Sequence, residues 1–352
     1  MTTSAQTATQ ESSGASPRVS VVIPSYGCAE TIAAVLEALL AQTLQPLEIF
    51  VVNDCSPDDL DSAVAPYRER IVYKVNPQNM GLARSYNEGL ALATAPYGMT
   101  LHSDCILDPD YIERLVSHVE GDPSIGAVTG QYLFDDIQAL ARSDRLFLVL
   151  NRIPLVTDRS DRSVHPINFV EGKADLFPHS VLKKYGYFNT NLVLTAEDQE
   201  LSARLRRDGY RLLQDASVRF RVQFTKTSDS LWKILYKQRT YARGQVYVML
   251  KFPGGAFSAT TQNRKQRARH RLCQLLFPCA YAAFAILGCF LPPAWGALLL
   301  LLLARGGMYV AMSRALKWQD RLLAALCGPV ADVYYLAGAV EGLVKTLVYR
   351  KT

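Results

Sequence analysis

Two long apolar stretches, Leu272 to Leu291 and Ala294 to Met312, are separated only by Pro292-Pro293. Each is long enough, as a helix, to cross a hydrocarbon core of about 30 Å, which takes about 20 residues. The prolines break the helix between them, so residues 272–312 are expected to form a transmembrane helical hairpin. Both of its ends are basic: Arg264, Lys265, Arg267, Arg269 and Arg271 lie before it, and Arg314, Lys317 and Arg321 after it. Basic flanks stay on the cytoplasmic side, and the large N-terminal part goes with them. Arg305, near the end of the second stretch, is expected to snorkel to the surface. A last apolar segment, Leu322 to Val348, contains Asp332 and Glu341. Each acid would cost about 2.5–3.5 kcal/mol at mid-membrane. Residues 313–352 therefore read as an interfacial or bundle-packed helix rather than a third span, with a basic tail at Arg350-Lys351.

The rest of the chain has a different character. Residues 1–17 are rich in Ser, Thr, Gln and Ala, with neither an apolar core nor a basic start. They read as a disordered lead and not as a signal peptide. The seven cysteines are scattered and form no CxxC pair, which argues against a structural zinc site and against a disulfide framework. The net charge of +6 comes largely from the basic crowd between Lys226 and Arg271. That crowd sits beside apolar spans and lacks interleaved aromatic platforms, so a membrane flank explains it better than a nucleic-acid face.

From Arg18 the pattern alternates. "VSVVIP", "LEIFVV", "IVYKV" and "YGMTL" are apolar runs of strand length. Ile32, Val35, Leu36, Leu39 and Leu40 fall at helical spacing, and "GLARSYNEGLALAT" reads as a helix after Gly81. This order predicts an α/β fold with a doubly wound, mostly parallel sheet over residues 18–250, its first half at 18–120 and its second at 121–250. A basic linker at 251–271 follows, and then the helical membrane anchor. In the second half, "DIQALARSDRLFLVL" is helix-like, "EGKADLFPHSVLKKYGYF" reads as a strand and a short helix, and "AEDQELSARLRRDGY" as an acid-headed helix.

Ligands bind beyond the carboxyl ends of strands in such sheets. Pro24-Ser25-Tyr26, Asn53-Asp54 and His102-Ser103-Asp104 each follow a strand, so Asp54 and Asp104 should face one crevice. Asp104 could hold a divalent metal such as Mg²⁺ or Mn²⁺, the remaining ligands coming from phosphate and water. Asp54 could accept hydrogen bonds from a nucleoside, Arg84 could meet phosphate, and an acid at Glu197-Asp198 could take a proton from an attacking hydroxyl. Each residue also fits a plain role. Asp54 and Asp104 suit turns, His102 a loop, and Glu197 and Asp198 a helix start. Spacing alone reaches only a cytoplasm-facing α/β ligand-binding domain with a membrane anchor.

Taken together, "VSVVIPSYGCAETIAAVLEALLAQTLQPLEIFVVNDCSPDD", "NMGLARSYNEGL", "LHSDC" and "AEDQELSARLRRDGY" resemble, in order and spacing, the family 2 glycosyltransferases of GT-A (Rossmann-like) fold. The likeness runs from about Arg18 to Gly244 and includes Gln42 and Glu48. It implies an inverting transfer of one sugar from a nucleotide-diphosphate sugar, with divalent-cation assistance, to a lipid-linked or saccharide acceptor, in glycan biosynthesis on the cytoplasmic face of the inner membrane. By the same resemblance Pro24, Tyr26, Asp54, Arg84 and Ser103 contact the nucleotide donor. Asp104 ends the DxD motif and holds metal and donor, and Asp198, beside Glu197, is the base. Arg239 and Arg243 fall where relatives place a basic element near the donor phosphates.

Three departures accompany the match. His102 replaces the first acid of DxD, so the metal would be held by Asp104 and phosphates, or partly by imidazole. "VRFRV" at 218–222 lacks the metal-binding histidine of many relatives. Tyr241-Ala242 stand where the QxxRW signature of processive synthases has Arg-Trp, which implies single-sugar addition. A catalytically inactive nucleotide-sugar sensor or scaffold at the membrane is the alternative these departures motivate.

Overall fold

The run Val19–Ser25 forms strand β1, whose seven residues are all buried. Its side chains feed two cores at once. Val19, Val21 and Ile23 belong to one apolar cluster, and Val22 to another on the opposite face. A continuous apolar run is what a strand covered on both faces requires. This computed structural model describes residues 16–133, 136–153, 155, 159–192, 195–223, 230–252 and 264–348, with side chains from residue 268 onward in the last segment. Most of the expected disordered lead, the expected linker between 253 and 263, and Arg350-Lys351 lie outside the described residues.

After β1 come α1 (Ile32–Leu40), β2 (Leu47–Asn53), α2 (Leu60–Val64), β3 (Val72–Val75), α3 (Leu82–Leu92), β4 (Tyr97–Leu101), β5 (Cys105–Leu107), α4 (Tyr111–Gly121) and β6 (Ile125–Leu133). Then follow α5 (Arg142–Leu150), β7 (Val164–Pro166), β8 (Ala174–Pro178), α6 (His179–Tyr185), α7 (Glu197–Arg207) and β9 (Arg211–Val222). The chain ends in α8 (Leu231–Lys251), α9 (Arg264–Gly288), α10 (Pro293–Met312) and α11 (Trp318–Val348). It divides into two compact units, one of residues up to Leu133 with Asp161–Gln223, the other of Phe134–Ser160 with Phe224–Thr352.

The first unit is one sheet in the order β3-β2-β1-β4-β8-β6-β9-β5, with β7 on β9. β3, β2, β1 and β4 run parallel, as the strand–helix alternation predicts. Beyond β4 the sheet is mixed. β8 lies antiparallel to both β4 and β6, and β9 is parallel to β6 but antiparallel to β5 and β7. Helices cover both faces: α1, α2 and α4 contribute to the core of β1's Val21, and α3, α6 and α7 to that of Val22. α3 sits close on β1 because Gly89 faces Val22; a Cβ on Gly89 would lie 2.3 Å from Val22 Cγ1. Gln42 and Glu48 are structural. Buried Gln42 donates to Asp108 O and accepts from Ile112 N–H, tying α1 to α4. Glu48 accepts from Ser20 Oγ and Thr94 N–H.

The second unit is helical. Leu146, Val149 and Leu150 of α5 pack with Ile234 and Leu235 of α8, Tyr309 of α10, and Ala324 and Ala331 of α11. α5 and α8 belong to this unit because their apolar faces are buried among the C-terminal helices. Gly338 and Gly342 bring α11 against the α8 backbone, where a Cβ would meet Arg239 O at 2.0 Å and Arg243 O at 2.6 Å. This is the small-xxx-small contact that lets helix backbones approach.

Among the described residues, three helices are long and apolar enough to cross a membrane: Ala268–Gly288, Pro293–Met312 and Trp318–Val348. Two expectations change here. Arg305 does not snorkel; it is fully buried and holds Asp332 by two bonds, at 2.7 and 3.0 Å. α11 is a single 31-residue helix packed in the bundle, and its acids are paired, Asp332 with Arg305 and Glu341 with Arg239, Arg243 and Lys345. Pairing lowers the cost that weighed against a third span.

Candidate active site at the ends of the parallel strands

The register of the parallel strands decides what gathers at their carboxyl ends. Ser25 pairs with Asn53, and Val22 with Thr100, so the residues after β1, β2 and β4 emerge along one edge. Main-chain bonds lock this edge. Asp54 N–H donates to Ser25 O at 2.9 Å, and Asn76 N–H to Asn53 O at 2.8 Å. Thr31 Oγ1 donates to Ser103 O at 2.8 Å, joining the start of α1 to the loop after β4. Asp54 and Asp104 thus share an edge despite fifty residues of separation.

Asp54 is buried, and its carboxylate serves the loop before α3. It accepts from Asn76 Nδ2, Met80 N–H and Gly81 N–H, each at 2.8 Å. Three donors satisfy most of a carboxylate's acceptor capacity. Its visible work is to fix residues 76–81 and so the start of α3, where Arg84 stands exposed in the first turn.

His102 and Asp104 lie in the turn between β4 and β5. His102 N–H donates to Lys173 O at 2.8 Å, and Asp104 O accepts from Gln223 N–H at 2.7 Å. His102 Nδ1 is 4.0 Å from Asp104 Oδ1. His102 Nε2 is sealed from solvent and has no hydrogen-bond partner among the described residues. Burial lowers the imidazole's pKa, opposed by the charge of Asp104, which keeps the ring neutral and able to ligate. Ligand atoms of His102, Asp104 and Cys105 lie within 4.8 Å of one another. Cys105 is a poor third ligand. Burial, and then the Asp104 charge, push its thiol well up, whereas hard cations prefer oxygen. A carboxylate and a neutral imidazole fit a divalent cation of the Mg²⁺ or Mn²⁺ kind.

The turn Gly172-Lys173, just before β8, connects this cluster to the head of α7. Lys173 O takes the His102 bond on one side. On the other, the position a Cβ would occupy on Gly172 lies 3.8 Å from Asp198 Cβ. Tyr86 of α3, fully buried, donates to Gly172 O at 2.7 Å. Asp198 is half-buried at the start of α7 and accepts from Gln199 N–H at 2.7 Å. Burial, then the like charge of Glu197, raise its pKa well above the usual carboxylate range. Glu197 is more deeply buried, its Oε2 lacks a partner among the described residues, and burial raises its pKa too. Two adjacent carboxylates with raised affinity for protons are suited to moving one.

Two contributors escaped the sequence reading. Asp175 of β8 is buried, accepts from Gly172 N–H at 2.6 Å, and is pushed up to about 7 by burial. Tyr86 braces the same turn. The available signal was an acid inside the apolar run "ADLF" and a tyrosine on the buried face of "GLARSYNEGL". Of the remaining expected residues, Pro24 is buried within β1, Tyr26 is exposed just beyond it, and Ser103 lies between the two metal candidates. Arg239 and Arg243 belong to the helical unit, where both guanidinium groups pair with Glu341, at 3.0 and 3.2 Å.

A parallel half-sheet bearing acids at its strand ends, continued by a mixed half-sheet and closed by an acid-headed helix, is the architecture of a GT-A glycosyltransferase. Residues 20–186 match the family model described as Glycosyl transferase family 2, and the chain carries a family 2 glycosyltransferase domain. It is 26% identical over 235 residues to the poly-beta-1,6-N-acetyl-D-glucosamine synthase of Staphylococcus aureus (strain COL), and equally so to that of Staphylococcus epidermidis. The match covers 66% of this chain and 56% of those relatives, so the chain spans little more than half their length. Among solved structures, it resembles a mannosyltransferase from Pyrobaculum calidifontis in complex with GDP-Man and Mn²⁺, with a TM-score of 0.54 and 19% identity, covering 96% of this chain and 89% of that one. It also resembles GalNAc-T7 with UDP, GalNAc and Mn²⁺, with a TM-score of 0.50 and 14% identity, over 72% of this chain and 54% of that one. These two likenesses concern the fold.

Proposed function

We propose that this protein transfers a single sugar, with inversion, from a nucleotide-diphosphate sugar to a lipid-linked or saccharide acceptor in polysaccharide biosynthesis, at the cytoplasmic face of the membrane. The observation that carries the reading is the Gly172-Lys173 turn, which has the His102-Asp104 loop bonded to one side and Asp198 packed on the other. A donor diphosphate held at Asp104 would then present its sugar toward Asp198.

Pro24, Tyr26, Asp54, Arg84 and Ser103 would form the nucleotide side of the pocket, Asp54 mainly by holding the 76–81 loop in place. A divalent cation held by Asp104 and His102 would neutralise the charge that develops on the departing diphosphate. Asp198 takes the proton from the acceptor hydroxyl as that oxygen attacks the anomeric carbon, and Glu197 keeps its proton affinity high. Arg239 and Arg243 would have to exchange Glu341 for a phosphate to serve the donor. Basic residues at both ends of the α9–α10 hairpin support the cytoplasmic side.

The test is turnover by the purified full chain with Mn²⁺, following release of nucleoside diphosphate across a donor panel. Nucleotide-linked N-acetylglucosamine and GDP-mannose come first, given what the relatives and structural neighbours act on or bind. Acceptor-dependent release is expected with one of them. Binding without turnover across the whole panel would favour the inactive sensor instead.

A further inference from the structure

A cavity of about 730 Å³ lies wholly within the helical unit. Among the described residues its lining includes four arginines, Arg152, Arg269, Arg305 and Arg314, together with His270, and no carboxylate. The cationic groups come from separate parts of the sequence. Arg152 follows α5, Arg269 and His270 lie in the first turns of α9, and Arg305 and Arg314 lie within and just beyond α10. The cavity therefore lies at the end of the hairpin that carries the basic flanks. Arg305 is seven residues before Met312, the last residue of α10, which places it about 10 Å deeper along the helix. Val149, Ile153, Met308 and Met312 supply an apolar wall.

The electrostatics of the lining point to an anion. Burial, and then the like charge of Arg305, disfavour the charged form of Arg152, a cost that a bound anion offsets. Asp332 pairs with Arg305. A free, fully hydrated anion has no need of the apolar wall, whereas a headgroup attached to a hydrocarbon tail at the membrane edge uses both parts.

We propose that this cavity holds the phosphate headgroup of a membrane lipid, with guanidinium groups on the phosphate oxygens and the apolar wall along the first carbons of the tail. The inference stands apart from the transfer reaction, and its readout is binding alone. The full chain in detergent is titrated calorimetrically with farnesyl phosphate, farnesol, dihexanoyl phosphatidylglycerol, dihexanoyl phosphatidylcholine and inorganic phosphate. At least one of the two anionic lipids should bind about tenfold more tightly than farnesol, phosphatidylcholine and inorganic phosphate, as expected where several charge-assisted bonds form. Which of the two binds better tells an isoprenoid phosphate from a phospholipid. Arg269→Gln/Arg314→Gln should lose about tenfold of that affinity with helicity unchanged. Should that variant fail to fold, Arg314→Gln alone, at an exposed position, should lose about threefold. Neither anionic lipid binding more tightly than farnesol and phosphatidylcholine, inorganic phosphate binding as tightly as the lipids, or unchanged affinity in the variants would overturn the proposal.

Discussion

The main-chain N–H of His102 donates to the carbonyl of Lys173 at 2.8 Å, and this bond couples the loop that carries Asp104 to the turn against which Asp198 packs. The two acids have separable duties in the proposed reaction. Asp198→Asn should lower the turnover number by about 10²–10⁴-fold, the range of general-base contributions, while nucleoside diphosphate binding stays near wild type. Asp104→Asn should weaken Mn²⁺-dependent donor binding itself. Steady-state turnover and equilibrium binding on both variants check this, and full activity in Asp198→Asn removes the base assignment.

Asp54 makes a different prediction, because its carboxylate is satisfied from within the protein. Asp54→Ala leaves the donors of Asn76, Met80 and Gly81 without their acceptor. Each orphaned group costs about 1–3 kcal/mol if it stays buried. Faster amide exchange at residues 76–81 and a weaker grip on the nucleotide are expected, with little change in the pH profile of turnover. Hydrogen exchange unchanged in that loop would show that Asp54 does not organise it.

The buried carboxyl of Asp175, held up to about 7, makes the pH dependence of stability specific in sign. An unfolded aspartate ionises near pH 4, so between that pH and 7 the folded state binds the extra proton. Stability from this group is present at low pH and falls as pH rises to about 7, then levels off. Asp175→Asn keeps an acceptor for Gly172 N–H and has no proton to lose. Thermal unfolding of the variant should show a flatter profile than wild type from pH 5 to pH 7.5. Parallel profiles would show that Asp175 titrates normally.

What could be read from the sequence follows from which forces are local. β1, β2 and β4 were legible because strands covered on both faces need unbroken apolar runs. Asp104 and Asp198 were legible because they close such runs or open a helix. The antiparallel placement of β8 was not, since its partners β4 and β6 are set by long-range register. Asp175 was hidden for the same reason, as an ordinary acid in a short segment. The assignment of α5 to the helical unit depends on partners 80 to 180 residues away, such as Ile234 and Ala324. Hydropathy sees Arg305 and Asp332 as two separate penalties, and only the packing of α10 on α11 turns them into a pair.

That pair supports a last prediction. Arg305 and Asp332 are both fully buried, and Tyr309 OH also donates to Asp332, at 2.6 Å. Removing one partner strands the other charge, a loss of about 3–5 kcal/mol in buried pairs. Arg305→Met and Asp332→Leu should each sharply lower the unfolding temperature of the full chain in detergent. The double variant, which buries no charge, should recover most of the loss, because the attraction of a buried pair roughly offsets its own desolvation. Tyr309 OH keeps a cost in the double variant, since it loses its acceptor, so recovery should be completed by adding Tyr309→Phe. Strictly additive losses in the double variant would mean that the two charges are each solvated independently and do not stabilise one another.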